Sequence, residues 1–399
     1  MKTIEKPYRL PFILVTSLFL LWGLANNMTD TLLAAFKRIM DMSDAQTSLI
    51  QFAFYGSYFC FALPAALYIR KRSYKSGIIL GLLLYASGAI LFYPAARVAS
   101  YAFYLIAIYI MAGGCSILET TANPYILSMG APESATRRLN IAQSFNPIGS
   151  IMGILLSKYF ILDSISLHSV SATYASLGAV LLLILLVMLC IPMPLGKDAV
   201  AQNPLGATFK RLIAEKRYLG GVIAQFFYVG AQIGVWSFTI RIVMEELAVM
   251  EAQASNIYLL SIIGFCLSRF VYSGLMKWVA PARLLVAGGC LSAIMAMVVV
   301  MSAGTGWVMV SALMLISIFM SLMFPTIYGL ALGAITSGAH PEDAKIGASG
   351  LIMAILGGAL LTPLQGWLSD CTSIYFSFII PALCFVVVVI YACYTLKKP

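Results

Sequence analysis

Apolar stretches long enough to cross a lipid bilayer recur along nearly the whole chain, roughly every 33 residues, with short polar connections between them. A spanning helix needs about 20 such residues, because a rise of about 1.5 Å per residue must cover about 30 Å of hydrocarbon. The 399 residues therefore hold about twelve spans. Composition agrees: 61% of residues are apolar and 10% charged, with a mean hydropathy of +0.94, against roughly 45–50% and about 25% in soluble domains. That balance excludes disorder, collagen, a disulfide scaffold and any sizeable aqueous domain. The expected class is an all-α membrane protein.

The expected spans are 10–36, 47–69, 76–95, 101–129, 138–161 and 171–192, then 218–243, 254–275, 282–302, 307–336, 344–368 and 373–396. The longest connection, 193–217, carries MPLG, NPLG and the basic FKRLIAEKR. It reads as a cytoplasmic linker, its basic part suited to the membrane surface, between an N-terminal half (1–192) and a C-terminal half (218–399).

The formal charge of +10 reports topology once the basic residues are placed. Lys2, Lys6, Arg9, Arg70, Lys71, Arg72, Lys75, Arg137, Arg138, Lys197, Lys210, Arg211, Lys216, Arg217, Lys277, Arg283, Lys345, Lys397 and Lys398 fall in one set of connections and ends. The opposite set holds only Lys37, Arg38, Arg97, Lys158 and Arg241. The positive-inside rule then puts both termini in the cytoplasm, and no basic patch is left for nucleic acid. The eight cysteines form no CxxC pair and lie mostly inside apolar segments, where cysteine acts as a small hydrophobe. The basic start and apolar run resemble a signal peptide, but the run continues into Asn26, Asn27 and Asp30 without a clear small-residue cleavage site. It is expected to be retained as the first span.

The halves echo each other. ETTANPYILSMG in the fourth span and SLMFPTIYGLALG in the tenth each precede a polar loop and a glycine-rich span, and Pro124 and Pro325 are 201 residues apart. FLLWG (19–23) and FFYVG (226–230) open the two halves 207 residues apart. Duplicated six-span halves are the organisation of a rocking transporter.

Ionisable groups in a bilayer usually face a partner or a water-filled cavity. Of the 15 acids only Asp30 and Glu119 lie well inside spans, and the comparable base is Arg269. Neither histidine is intramembrane, which argues against a histidine proton relay. Each acid has an amide on its own helical face, Asn27 three residues before Asp30 and Asn123 four after Glu119. Gln143 and Asn146 repeat the pattern on the fifth span, and Gln225, Tyr228 and Gln232 line one face of the seventh. Amides donate and accept while carboxylates accept, a set that suits sugar hydroxyls. Trp22, Tyr55, Trp236, Phe324 and Tyr328 are candidate platforms for a pyranose face. The alternative for each amide is interhelical glue, and for Arg269 an interfacial anchor. A carboxylate held in low dielectric favours its protonated form and can exchange a proton near neutral pH, the property a proton-coupled carrier needs.

WGLANNMTD (22–30), GGCSILETTANPYI (113–126), RLNIAQSFNPIG (138–149), FFYVGAQIGVWS (226–237), SRF (268–270), FPTIYGL (324–330) and GGALLTPLQGWLSD (357–370) resemble the L-fucose/proton symporter family of the major facilitator superfamily. The similarity extends over most of the chain and weakens in the linker and outer loops. It implies the major facilitator fold, with 12 transmembrane helices in two pseudo-symmetric six-helix halves, importing a hexose or deoxyhexose with a proton. It further implies that Asp30 and Glu119 serve proton coupling and sugar binding, that Asn27, Gln143 and Asn146 lie near the sugar, and that Arg269 matches a basic residue of the family. The family pattern has an asparagine directly before the aspartate, where this chain has Thr29. That departure leaves the sugar open, since members also take glucose, galactose or N-acetylated sugars.

The expected mechanism is alternating access, with Asp30 or Glu119 protonated from outside, sheltered as the halves close, and deprotonated inside. The residues leave open which acid carries the proton. A passive facilitator, a proton-driven exporter and a non-transporting sugar sensor are the rival functions. An intramembrane enzyme is disfavoured by the lack of HExxH or a His/Cys constellation, and ATP-driven transport by the lack of a GxxxxGK[ST] loop. The expected partners are a neutral monosaccharide, a proton and the bilayer, with no cofactor and a functional monomer.

Overall fold

The computed structural model describes residues 6–39, 44–157, 159–160, 166–194 and 204–397, apart from the side chains of residues 6, 26, 29–39, 44–48 and 51. Among the described residues the regular elements are all helical. The first group is α1 (Arg9–Ile39), α2 (Asp44–Lys71), α3 (Tyr74–Val98), α4 (Tyr101–Ser128), α5 (Ala135–Gln143), α6 (Asn146–Ser157), α7 (Leu167–Cys190) and α8 (Leu205–Ala214). The second is α9 (Lys216–Leu247), α10 (Glu251–Leu275), α11 (Pro281–Met301), α12 (Trp307–Met320), α13 (Met323–Thr336), α14 (Ala344–Met353), α15 (Leu356–Cys371) and α16 (Ile379–Lys397). Ten helical segments among the described residues are long and apolar enough to cross a membrane, and Arg9–Ala25 is a shorter apolar helix at the expected first span. The basic linker segment forms α8, with Thr208 and Leu212 buried.

Short connections are set by hydroxyl caps. At the start of α3, Ser73 Oγ accepts from the Ser76 N–H (3.2 Å) while Ser76 Oγ accepts from the Ser73 N–H (3.1 Å), which satisfies two donors that a helix start leaves orphaned. Two residues suffice between α3 and α4. Ala99 takes the left-handed conformation (φ 50°), and Ser100 Oγ then accepts from the Phe103 N–H (3.4 Å).

Three spans expected to be continuous are broken. The fifth divides into α5 and α6 just before Pro147, the tenth into α12 and α13 just before Pro325, and the eleventh into α14 and α15. A proline has no N–H and removes one rung of the helical ladder. In the eleventh span the Gly357 and Gly358 N–H groups donate to the Ala354 and Ile355 carbonyls (3.0 and 3.1 Å), tightening the turn to a three-residue step.

The helices pack into two compact units. One comprises residues 1–132, 148–204 and 340–353; the other comprises 133–147, 205–339 and 354–399. The units are therefore not a simple cut at the linker: α5 packs with α10 and α13, and α14 packs with α2 and α4. The two exchanged segments begin 207 residues apart, the same offset that separates FLLWG from FFYVG. Each also carries a buried base, Arg138 in one and Lys345 in the other, and these too are 207 residues apart.

The repeat appears again in the packing. In the first unit, a Cβ on Gly149 would run into the Leu20 carbonyl, and in the second a Cβ on Gly357 would run into the Phe226 carbonyl. Gly88 and Gly114 likewise bring α3 and α4 to backbone contact, at Met111 and Tyr85. Small residues at such crossings let helix backbones approach closely.

One polar staple holds the loop before α12. Glu246 accepts from the Gly304 and Gly306 N–H groups, at 2.8 Å each, and both glycines have positive φ (78° and 58°). Glu246→Ala removes two charge-assisted bonds and is expected to destabilise the protein by about 1–2 kcal/mol. A thermal melt of the purified variant in detergent checks this, and an unchanged midpoint would count against the staple.

Candidate functional site

In the first unit the expected residues converge on α4 and α1. Glu119 is half-buried on α4, and Asn123, one turn later, is fully buried. Around Glu119 stand Tyr58 of α2 and Cys115, one turn earlier on α4, both within electrostatic reach. Among the described residues no cation pairs with Glu119. A carboxyl in such surroundings is cheapest to enclose when neutral, because an isolated buried charge costs several kcal/mol. Asn27 on α1 is half-buried, and its Nδ2 donates to the Gly23 carbonyl (3.3 Å). Trp22 is 2% exposed, its ring edge-on to Phe19 at 4.6 Å, and its indole N–H has no hydrogen-bond partner among the described residues. The backbone of Asp30 belongs to α1, while its side chain lies outside the described residues.

The second unit gathers the rest. Gln225 on α9 is fully buried, with neither Oε1 nor Nε2 bonded to a described residue. Leaving a buried amide unpartnered costs about 1–3 kcal/mol per group, so this side chain is the strongest candidate for a ligand contact. Gln232, two turns along the same helix, is half-buried. Tyr228, between them, donates its hydroxyl to the Met320 carbonyl (3.2 Å). The rings of Tyr228 and Phe324 are 6.4 Å apart, and Phe324 and Tyr328 stack at 6.5 Å. Helices α9 and α13 thereby present three aromatic groups together.

Arg269 on α10 is buried at 3% exposure. Its Nε donates to the Ser321 carbonyl (2.7 Å), its Nη1 to the Gln143 carbonyl (2.9 Å), and its plane lies 4.7 Å from the Phe265 ring centre. Gln143 is buried and Asn146 half-buried, both engaged in further contacts. Trp236 is held rather than free: its Nε1 donates to Ser317 Oγ (3.3 Å), and its ring meets Phe265 edge-on at 5.1 Å.

Polar groups absent from the sequence-based set also line these helices. Thr120 on α4, and Thr362 and Gln365 on α15, each have a buried side-chain atom without a partner among the described residues. Gln365 abuts α9 at Gly234. Its signal in the sequence is a single amide inside an apolar span, without a second amide on its face. A cavity of about 660 Å³ in the first unit, between α1, α6 and α7, is lined by leucines, Met28 and Met152 together with Tyr159, His168, Ser169, Thr173 and Ser176, and contains none of the candidate residues. Among the described residues no group of His, Cys, Asp or Glu is arranged to hold a metal.

The sequence pattern of the Major Facilitator Superfamily matches residues 12–355. The chain belongs to the Major Facilitator Superfamily. Its fold agrees with that of a solved transporter of the superfamily, FucP, in the outward conformation, with a TM-score of 0.88, 35% identity and coverage of 98% of this chain and 99% of that one. Among curated proteins the L-fucose-proton symporter of Haemophilus influenzae is 40% identical over 427 residues, covering 98% of this chain and 97% of the relative. The glucose/galactose transporter of Brucella abortus is 32% identical, covering 97% and 94%. Broken spans are tolerated at membrane depth where a cavity or a side chain satisfies the backbone groups they free.

Proposed function

We propose that this chain is a proton-coupled sugar symporter that works by alternating access, taking L-fucose or a related hexose. The observation that carries this is similarity along essentially the whole chain to an L-fucose-proton symporter, at 40% identity. Two features of the molecule support it. Glu119 is an enclosed carboxyl without a cation among the described residues, as a proton carrier requires. Gln225, with its unpartnered amide, and the aromatic group Tyr228, Phe324 and Tyr328 supply hydrogen bonds and apolar faces suited to a sugar ring. Asp30 and Glu119 serve the proton; Asn27, Glu119, Asn123, Gln143, Asn146, Gln232 and Tyr328 complete the sugar-handling set with Gln225 and Tyr228. The carrier acts as a monomer with twelve spans, halves 1–192 and 218–399 joined by a linker, and both termini cytoplasmic, in a bacterial inner membrane.

The test is sugar-induced alkalinisation outside right-side-out vesicles, with fucose, galactose, glucose, mannose, arabinose and N-acetylglucosamine. A proton signal with one or a few of these sugars, matched by entry of the labelled sugar, is expected. Entry without a proton signal would replace symport by facilitated diffusion, and silence in both assays would overturn the sugar assignment.

A further inference from the structure

We infer that Arg269 is a positioning residue: its guanidinium takes the place of two backbone donors that prolines remove, clamping the break of the fifth span to the break of the tenth. In an α-helix the N–H of residue i donates to the carbonyl of residue i−4. Pro147 therefore leaves the Gln143 carbonyl without its helical donor, and Pro325 does the same to the Ser321 carbonyl. These are the two carbonyls that Arg269 binds, through Nη1 at 2.9 Å and Nε at 2.7 Å. An orphan carbonyl at membrane depth must be satisfied by something other than water, and a planar fork with donors on two edges can satisfy two at once.

The surroundings fit a clamp. Among the described residues no carboxylate pairs with Arg269, so its charge is met by carbonyl dipoles, by the Tyr228 hydroxyl and by the face of Phe265. The same two helices are tied in the reverse sense, since Arg137 Nε of α5 donates to the Ser273 carbonyl of α10 (3.2 Å). The break in the tenth span is trussed further by Tyr228 to the Met320 carbonyl (3.2 Å) and by Ser268 Oγ to Ser321 Oγ (2.9 Å). Residues 133–147 consequently pack with the second unit, although the chain continues from Ile148 into the first. Arg269 thus fixes the backbone that carries Gln143 on one side and Phe324 and Tyr328 on the other.

The backbone at both breaks stays close to helical. Ser144 has φ −65° and ψ −15°, Ser321 has φ −59° and ψ −33°, and Leu322 has φ −80° and ψ −14°. An alanine in place of either proline would therefore bring a new N–H near the carbonyl that Arg269 now serves, which gives a test by second-site reversal. Arg269→Gln and Arg269→Lys are each made alone and together with Pro147→Ala and Pro325→Ala, and thermal midpoints are measured in detergent. Only an added transport measurement rests on the symport proposal; the midpoints do not depend on any sugar.

Arg269→Gln is expected to lower the midpoint by roughly 5 °C or more, and the paired alanines to restore at least half of that loss while failing to raise the midpoint of the parent. Lysine, a single point donor, should fall between. Sugar uptake should recover along with the midpoint. If Arg269→Gln yields no folded protein, the same comparison is made in the Arg269→Lys background. Equal effects of the paired alanines with and without Arg269, or an unchanged midpoint in Arg269→Gln, would overturn the clamp.

Discussion

Vesicles carrying Glu119→Gln are expected to equilibrate the transported sugar but not to concentrate it. Glutamine keeps the size and polarity of the side chain and removes the proton that a carboxyl can pick up and release. The enclosed position of Glu119 beside Tyr58 and Cys115 makes the ionised form expensive to seal away from water, whereas the amide carries no charge to bury. A proton entering down a 100 mV potential supplies about 2.3 kcal/mol, which supports a sugar gradient of roughly 50-fold at about 1.4 kcal/mol per decade. The variant should fall from that ratio to about 1, with exchange of labelled for unlabelled sugar retained. Accumulation retained by Glu119→Gln but lost in Asp30→Asn would assign the proton to Asp30. Accumulation retained by both would remove carboxylate coupling altogether.

Gly149→Ala and Gly357→Ala are expected to be among the most damaging single-methyl changes in the protein. Each new Cβ would meet a backbone carbonyl, of Leu20 in one unit and of Phe226 in the other, and a backbone cannot rotate away as a side chain can. Overpacking typically costs about 1–3 kcal/mol, and these sites should lie at or above the top of that range. Gly56 and Gly333 have nothing within 4 Å of where a Cβ would sit and serve as controls. Alanine there should be neutral or stabilising, by up to about 1 kcal/mol from helix propensity. Yield of monodisperse protein and thermal midpoint compare the four variants; equal behaviour of the two pairs would refute the close-approach argument.

The positions of the spans were legible because apolar length is nearly a one-dimensional property. The breaks were not. Pro64, Pro94, Pro124 and Pro363 lie inside continuous helices, whereas the fifth and tenth spans divide just before Pro147 and Pro325, so a proline by itself does not tell a kink from a break. The difference at the last two is Arg269, which is 126 residues from Gln143 and 52 from Ser321, a pairing invisible to any local pattern. Glu119 and Asn123 were legible as a carboxyl and an amide on one helical face, and Gln225 as a member of a stripe. Gln365 was not, because a lone amide in an apolar span looks the same whether it glues helices or meets a ligand. The 207-residue repeat was visible in FLLWG and FFYVG, but that the same offset separates two exchanged segments required the packing.

The exchange of residues 133–147 and 340–353 also sets a clock on biogenesis. The first unit holds no residue between 205 and 339, yet it takes in 340–353. A ribosome adding about 5–20 residues per second needs about 7–30 s to make the intervening stretch. For that interval the nascent N-terminal half sits in the membrane with the surface of α2 and α4 that receives α14 still uncovered, so the two halves mature together instead of one after the other.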